Sequence, residues 1–434
     1  MLRISTCLLL AVGCVLAAPG PSNKISPELQ NQTKANIIVS FVGGTKSTLQ
    51  SINSQRFESR TLRLNALHDA LVANAEQSQR GVLKLLSTHS SKVKSFWLTN
   101  LVYVKDADSA LIQAIAQDDQ VESITEEQIA HLIEPVDMKK VEALADEHQW
   151  GVVKIQAPEA WQELGTLSGE GVIIATVDTG VRGTHEALKD NFVGEYGWFD
   201  PSTSTPTPTD NNGHGTHTTG TIAGGKGIGV APGAKWAACR GCASSACYQS
   251  DLLACGDFFA CPTRADGSSP DCSKAPNVVS NSWGGGRGNT CCNTANSPAD
   301  QNVIAVGSTT IDDAISSFSS VGPTTDGRMK PEVSAPGSNV ISAYHTSDTA
   351  YVSLSGTSMA CPHAGAIALL QVRDKNLSYV KAKEFLLGQT DKNLVSSGRT
   401  CEGIPDNQFP NHVFGTGRIN ALKSVRAQTL AMQG

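Results

Sequence analysis

With 434 residues the chain is too long for one ordinary domain and comfortable for two. Hydrophobic residues make up 40% and charged residues 17%, so a sizeable core is affordable and disorder is not the default, and a formal net charge of −6 argues weakly against nucleic acid or an anionic membrane as partner. No apolar run reaches 18 residues, so no transmembrane helix is expected.

The first residues read as an export signal. Arg3 supplies the positive start, residues 7–18 are apolar, and Ala17 and Ala18 are the small residues that signal peptidase requires. A signal over residues 1–18 predicts a secreted, extracellular protein and an oxidising compartment. Of 12 cysteines, Cys7 and Cys14 leave with the signal, and the other ten lie between Cys239 and Cys401.

Residues 35–134 read as a small α+β unit. A strand is expected at 36–42, closed by Gly43-Gly44. Leu62, Leu64, Leu67, Leu71 and Val72 recur at helical spacing. A second strand is expected over 96–104, a helix over 110–116, and a last strand within 121–133. The order β-α-β-α-β predicts a small sheet with helices on one face, and nothing in it looks catalytic. Residues 135–150 read as a charged, helix-prone joining stretch with no strand of its own. Beyond Trp150 the composition changes, and 172–177, 277–280 and 302–306 are near-continuous hydrophobic runs, as in a parallel sheet covered on both faces. The stretch 202–210 reads as a surface loop, and 241–273, with five cysteines, as an irregular loop stapled by disulfides.

Three sites stand out in this second part. Asp178 follows directly on the strand ending at Val177, at the carboxyl end where open α/β sheets carry their chemistry. His214 lies in the Gly-rich stretch 213–220, at the start of a helix. Ser358 lies in Gly356-Thr357-Ser358-Met359-Ala360-Cys361-Pro362-His363, a turn that presents Ser at a helix N-terminus, where free N–H groups favour an oxyanion. Each has a plainer explanation: a turn Asp, a structural or metal-binding His paired with His217, an N-cap Ser. Together they form a nucleophile, a base and an orienting carboxylate, in the order Asp…His…Ser.

Those three blocks resemble the signatures of the subtilisin-like serine peptidases, over residues 150–425, and residues 35–134 resemble that family's inhibitory propeptide. The cysteine-rich loop and 279–286 resemble the secreted bacillopeptidase F-like branch. The resemblance implies an α/β fold with a parallel sheet and helices on both faces, preceded by a ferredoxin-like propeptide domain. It implies an endopeptidase working through Asp178, His214 and Ser358, with no cofactor required and calcium left open as a stabilising ion. It also implies that Ser282-Trp283-Gly284 is the edge that pairs with substrate backbone. Partners are then protein or peptide substrates and the chain's own propeptide, the protein is a monomer, and self-cleavage falls between about Pro135 and Trp150. A zinc module on Cys239-x-x-Cys242 and a catalytically silent family member are the rival readings.

Two departures from the family pattern stand out. The family carries an Ala-Gly-Asn oxyanion turn between the Ser282-Trp283-Gly284 edge and the next central strand. Here 284–301 holds no such turn and is too short and too irregular for a parallel crossover, so roughly one βα unit is absent. Asn289, Asn293 and Asn296 are the remaining candidates for a stand-in donor. Second, Pro362-His363-Ala364-Gly365 is one residue shorter than the family's motif, a deletion that rotates everything downstream by about 100° on a helix.

Overall fold

The computed structural model describes residues 21–142, 144, 147–284, 303–324 and 327–433. The signal at 1–18, the oxyanion candidates Asn289, Asn293 and Asn296, and Cys291 and Cys292 lie outside these. The chain divides into two compact units, residues 1–47 with 73–127 and residues 48–72 with 128–434.

The first unit holds β1 (Lys34–Phe41), most of α1 (Arg60–Leu86), β2 (Val93–Phe96), β3 (Leu101–Asp108), α2 (Ser109–Ala116) and β4 (Val121–Glu126). The four strands form an antiparallel sheet in the order β2-β3-β1-β4, a βαββαβ arrangement of the ferredoxin-like kind. Ile37, Val39, Val102 and Val104 bury one face of that sheet against Val82, Leu111 and Ile115. The single strand expected over 96–104 is in fact two, split by a turn at 97–100. Asn100 takes a left-handed φ of 54°, and its side-chain oxygen accepts from Ser78 Oγ at 2.9 Å and Gln79 Nε2 at 3.0 Å. A buried amide anchored twice to α1 outweighs the strand propensity of its neighbours. The strand expected to run to 133 also ends early, at Glu126, because residues 129–132 pair instead with strands of the second unit.

The second unit begins its ladder with β5 (Ile129–Leu132) and β6 (Val136–Val141); the latter is a strand inside the joining stretch expected to hold none, formed because its backbone pairs with residues 351–355 far along the chain. β7 (Ile173–Val177), β8 (Trp198–Phe199), α3 (His214–Ala223), β9 (Lys235–Cys239), β10 (Ala246–Tyr248), α4 (Gln249–Ala260), β11 (Val278–Asn281) and β12 (Trp283–Gly284) come after them. β7, β8, β9 and β11 form a parallel sheet in the order β11-β7-β9-β8. Ile174, Ala175 and Trp236 are fully buried within it, which is why these strands read as unbroken hydrophobic runs. Next come β13 (Val306–Thr309), β14 (Val333–Pro336), β15 (Val340–Ala343) and β16 (Tyr351–Ser355). β13 and β14 make a separate parallel pair, and β15-β16-β6 a three-stranded antiparallel sheet. The strand expected over 302–306 begins only at Val306, because Ala305 N donates to the Glu332 carboxylate at 2.8 Å instead of to a ladder.

The stretch 241–273 is not wholly irregular. α4 occupies its middle, held by the disulfides Cys239–Cys255, Cys242–Cys247 and Cys261–Cys272. After β16 come α5 (Thr357–Ala360), a 3₁₀ segment over Cys361–Ala366, α6 (Ile367–Arg373), α7 (Tyr379–Gly388) and α8 (Ala421–Gln433). The 3₁₀ segment answers the missing residue. Six residues wound at 3.0 rather than 3.6 per turn advance about 120° further than an α-helix would, which offsets the roughly 100° removed by the deletion. Of Ala366, Ile367, Leu369 and Leu370, which the deletion forces to find the core anew, three still reach it with exposures of 2% or less, while Ile367 is only partly buried.

Candidate active site

Asp178 stands one residue past β7, its N–H donating to Cys239 O at 3.2 Å, so its side chain emerges at the carboxyl end of the parallel sheet. Its Oδ1 accepts from Thr179 N at 2.8 Å and meets His214 Nδ1 at 2.7 Å, and its Oδ2 accepts from Thr218 Oγ1 at 3.2 Å. Both side chains are 2% exposed. Glycine is what allows this closeness. A Cβ on Gly215 would stand 2.1 Å from Gly180 O and 3.1 Å from Asp178 Cβ.

The start of α3 is locked by a second carboxylate. Asp210 Oδ1 accepts from Asn212 N and Gly213 N, both at 2.9 Å, and its Oδ2 accepts from Thr216 N at 3.0 Å and Thr216 Oγ1 at 2.6 Å. Four bonds to one buried carboxylate fix the first turn, and with it His214, the first residue of the helix. Sequence reasoning missed Asp210 and Thr218. The signal was there, an Asp just ahead of a Gly-rich helix start, but the stretch 202–210 that ends on it read as a surface loop.

Burial works against a charged His214, yet the Asp178 carboxylate, with Asp210 and Glu134 further off, raises its pKa above the ordinary histidine value. His217, one turn on, is the opposite case. Burial, with the His214 charge beside it, drops its pKa to about 3, and its Nε2 is spent on Val340 O at 3.0 Å. That bond takes one ring nitrogen, and Nδ1 has no hydrogen-bond partner among the described residues. Among the described residues the one grouping of three metal-capable side chains is His68 with Cys261 and Cys272, whose sulfurs are joined to each other. The zinc module fails for the same reason, since Cys239 and Cys242 are each taken by a disulfide.

Ser358 lies in α5, which packs against α3. It is 4% exposed, and its Oγ donates to Ser282 O at 3.3 Å. Among the described residues His214 Nε2 has no hydrogen-bond partner. So the structure closes the Asp178–His214 contact and turns Ser358 toward the backbone of residue 282.

Ser282, Trp283 and Gly284 form the other wall. Trp283 Nε1 donates to Val177 O at 3.1 Å, which ties β12 to the end of β7. β12 pairs antiparallel with β5, Trp283 opposite Leu132 and Gly284 opposite His131. On its other side β5 pairs with β10, Cys247 opposite Ala130. β5 is thus the middle strand of a three-stranded sheet, between β10 and β12. Beyond it Glu134 acts on the charge of His214, a Cβ on Gly356 would come 3.9 Å from Pro135 Cα, and β6 then pairs with β16, the strand that leads into Ser358.

An Asp–His pair at the carboxyl ends of a parallel sheet, a Ser on an adjoining helix and a strand edge beside them define a candidate hydrolase site. The family model described as the subtilase family matches residues 169–301 and 288–417. The chain is 30% identical to bacillopeptidase F of Bacillus subtilis (strain 168) over 491 aligned positions, covering 95% of this chain and 33% of that one. It is 35% identical to thermitase of Thermoactinomyces vulgaris over 297 positions, 64% of this chain and 96% of that one. In fold it is similar to fervidolysin of Fervidobacterium pennivorans, titled a keratinolytic enzyme related to subtilisin, with a TM-score of 0.58 at 20% identity over 91% of this chain and 61% of that one. The chain belongs to the subtilase family of serine peptidases. It spans a third of the length of bacillopeptidase F and about three fifths of that of fervidolysin.

Proposed function

We propose that the protein is a secreted serine endopeptidase, folded as a precursor whose own residues 129–141 fill the cleft. Ser358 is the nucleophile, His214 takes its proton and returns it to the leaving amine, and Asp178 holds the imidazole tautomer and stabilises the imidazolium. Ser282-Trp283-Gly284 binds the acyl side of an extended peptide by main-chain bonds, a mode that favours broad specificity. The chemistry draws on no cofactor. Among the described residues no helix is long and apolar enough to cross a membrane, and bacillopeptidase F and thermitase are the relatives that motivate the reading of an exported enzyme.

One observation carries the reading: a single extended segment crosses the site from β5 to β6. Continuing the β5–β12 register by one residue sets Ile133 opposite Ser282, whose carbonyl accepts the Ser358 hydroxyl. The bond that crosses the nucleophile is then Ile133–Glu134, just upstream of the 135–150 stretch favoured from sequence, and residues 35–133 form the released propeptide. Ser358→Ala should accumulate uncut precursor in a protease-free host, and wild-type chain should yield a new N-terminus at Glu134. A Ser358→Ala chain cut at the same place would mean that another enzyme does the work.

A second reading, a catalytically silent member, is favoured by the hydroxyl of Ser358 facing Ser282 O while His214 Nε2 has no partner among the described residues. Failure of a fluorophosphonate to label the folded chain would select it.

A further inference from the structure

The division into two units does not follow the chain. Residues 48–72 lie in sequence between parts of the first unit, yet their contacts place them in the second. Specific bonds hold them there. The start of α1 is fixed by Ser59, whose Oγ accepts from Leu62 N at 3.2 Å and whose O accepts from Arg63 N at 3.1 Å. Arg63 Nη2 donates to Asn53 Oδ1 at 2.9 Å and ties in the short helix Lys46–Asn53. Arg60, presented by this turn, donates from Nη1 to Ala275 O at 3.1 Å and from Nη2 to Pro276 O at 2.8 Å. About two turns further along α1, a ring nitrogen of His68 lies within 4.8 Å of both sulfurs of the Cys261–Cys272 bridge.

Both contacts fall on one loop, residues 261–276, and that loop is stiff. The disulfide closes it, and Asp271 N donates to Pro262 O at 2.8 Å. The next residue, Asn277, is locked to β7 in both directions, its N donating to Ile173 O at 2.7 Å and its Oδ1 accepting from Ile173 N at 3.0 Å. The carbonyls of Ala275 and Pro276 are therefore held in fixed directions. A guanidinium fork answers both at once, which a single ammonium does not. Upstream of Arg60 the fit is loose, and a cleft of about 880 Å³, lined by Gln55, Phe57, Asn376 and Tyr379 among others, stays open. The hold is thus concentrated at Arg60 and His68.

We infer that residues 48–72 are an anchoring arm, seated on the stapled loop 261–276, which keeps the N-terminal segment bound after the chain is cut. The seat is separate from the substrate cleft, since the Arg60 bonds involve none of β5, β10 and β12. A cut segment therefore stays on the second unit even when it has no residue left in the cleft. The inference does not depend on catalytic competence.

The test uses full-length Ser358→Ala chain with the recognition sequence of a foreign endopeptidase inserted between Glu127 and Gln128, where the two units meet in sequence. A cut there leaves β5 paired in the second unit, so the N-terminal piece carries no cleft residue. The two pieces should co-elute in gel filtration. Arg60→Ala should raise their dissociation rate about tenfold or more, the loss expected when hydrogen bonds from a charged donor are removed. Arg60→Lys should fall in between. Cys261→Ser with Cys272→Ser should raise the rate too, because the seat loses its staple, whereas Gln55→Ala, in the open cleft, should leave it unchanged. Amide exchange over 34–41 and 101–108 that matches the parent shows that the N-terminal piece is still folded in each variant. Separation of the parent pieces on cutting overturns the inference. So does an Arg60→Ala complex that dissociates at the parent's rate, or an equal rise in Gln55→Ala. Fluorophosphonate labelling of the wild type reads the catalytic proposal separately.

Discussion

Acid should destabilise this protein well before its carboxylates titrate, because of histidines that the fold keeps neutral. His217 and His363 are buried, with pKa values lowered by burial to about 3 and about 4. In the unfolded chain each returns to about 6.5. As pH falls below that value the unfolded state takes up protons that the folded state refuses, so stability falls with pH through the window from 6.5 down to the folded values. At pH 5 each histidine has cost about 2 kcal/mol, hence about 4 for the pair, a large share of a typical 5–15 kcal/mol total. His185, also lowered, adds in the same sense. His214 acts in the opposite sense, because its raised pKa gives stability that is present below 6.5 and lost as pH rises through the folded value. Comparing variants separates the contributions. In a Ser358→Ala background, urea unfolding at pH 8, 7, 6 and 5 gives the slope, and His363→Asn, whose amide can replace the Nδ1 bond to Met359 O at 2.9 Å, should remove about 2 kcal/mol of the fall between pH 8 and 5. Equal stability of the parent at pH 8 and pH 5, or an unchanged slope in the variant, would refute the reasoning.

A fluorophosphonate should label Ser358 alone, His214→Ala should abolish labelling and His217→Ala should not. Labelling of the wild type should fall with acid at a midpoint above pH 6.5, because the base must be neutral and its pKa is raised. Asp210→Ala strands three backbone N–H groups of the 212–216 turn and should cost about 2–4 kcal/mol by denaturant unfolding, with a matching loss of labelling; a cost under about 0.5 kcal/mol would show that the clamp is idle. Replacing both Cys239 and Cys255 by Ala opens a bridge of sequence separation 16 and should cost about 3 kcal/mol on the loop-entropy account. Thiol counting on the denatured, unreduced wild type should find none of the six cysteines between Cys239 and Cys272 free.

The candidate site residues stood out in the sequence because their chemistry is carried by residue type in short local blocks. β7 was legible to within a residue because burial on both faces leaves a hydrophobic run. Other features depend on partners far off in sequence. Nothing in Ile129-Ala130-His131-Leu132 says that it pairs with Trp283-Gly284 on one side and Ala246-Cys247-Tyr248 on the other. The turn at 97–100 was hidden by its apolar neighbours, since Asn100 turns the chain through buried bonds to Ser78 and Gln79. α4 was hidden by its cysteines, which pointed to disulfides while Leu252, Phe258 and Phe259 kept a helical face. The deletion after Pro362 was visible, but its remedy by tighter winding over 361–366 was not, because helix pitch leaves no mark on composition.

The strand pairing of residues 129–141 has a consequence for solubility. β12 and β16 would each present a bare edge if that segment were gone, and bare strand edges are templates for aggregation. β12 is only two residues long and a poor template, but β16 has five, all buried while β6 lies on it. As long as the segment stays seated, the chain passes through folding with both edges capped. Cleavage at Ile133–Glu134 releases β5 but leaves β6 as the new N-terminal segment; where β6 comes off its partner, β16 becomes the stickier of the two, and it ends three residues before Ser358. Self-association along that edge would block the nucleophile, so concentrated solutions of the cleaved protein should lose labelling reversibly on standing and regain it on dilution.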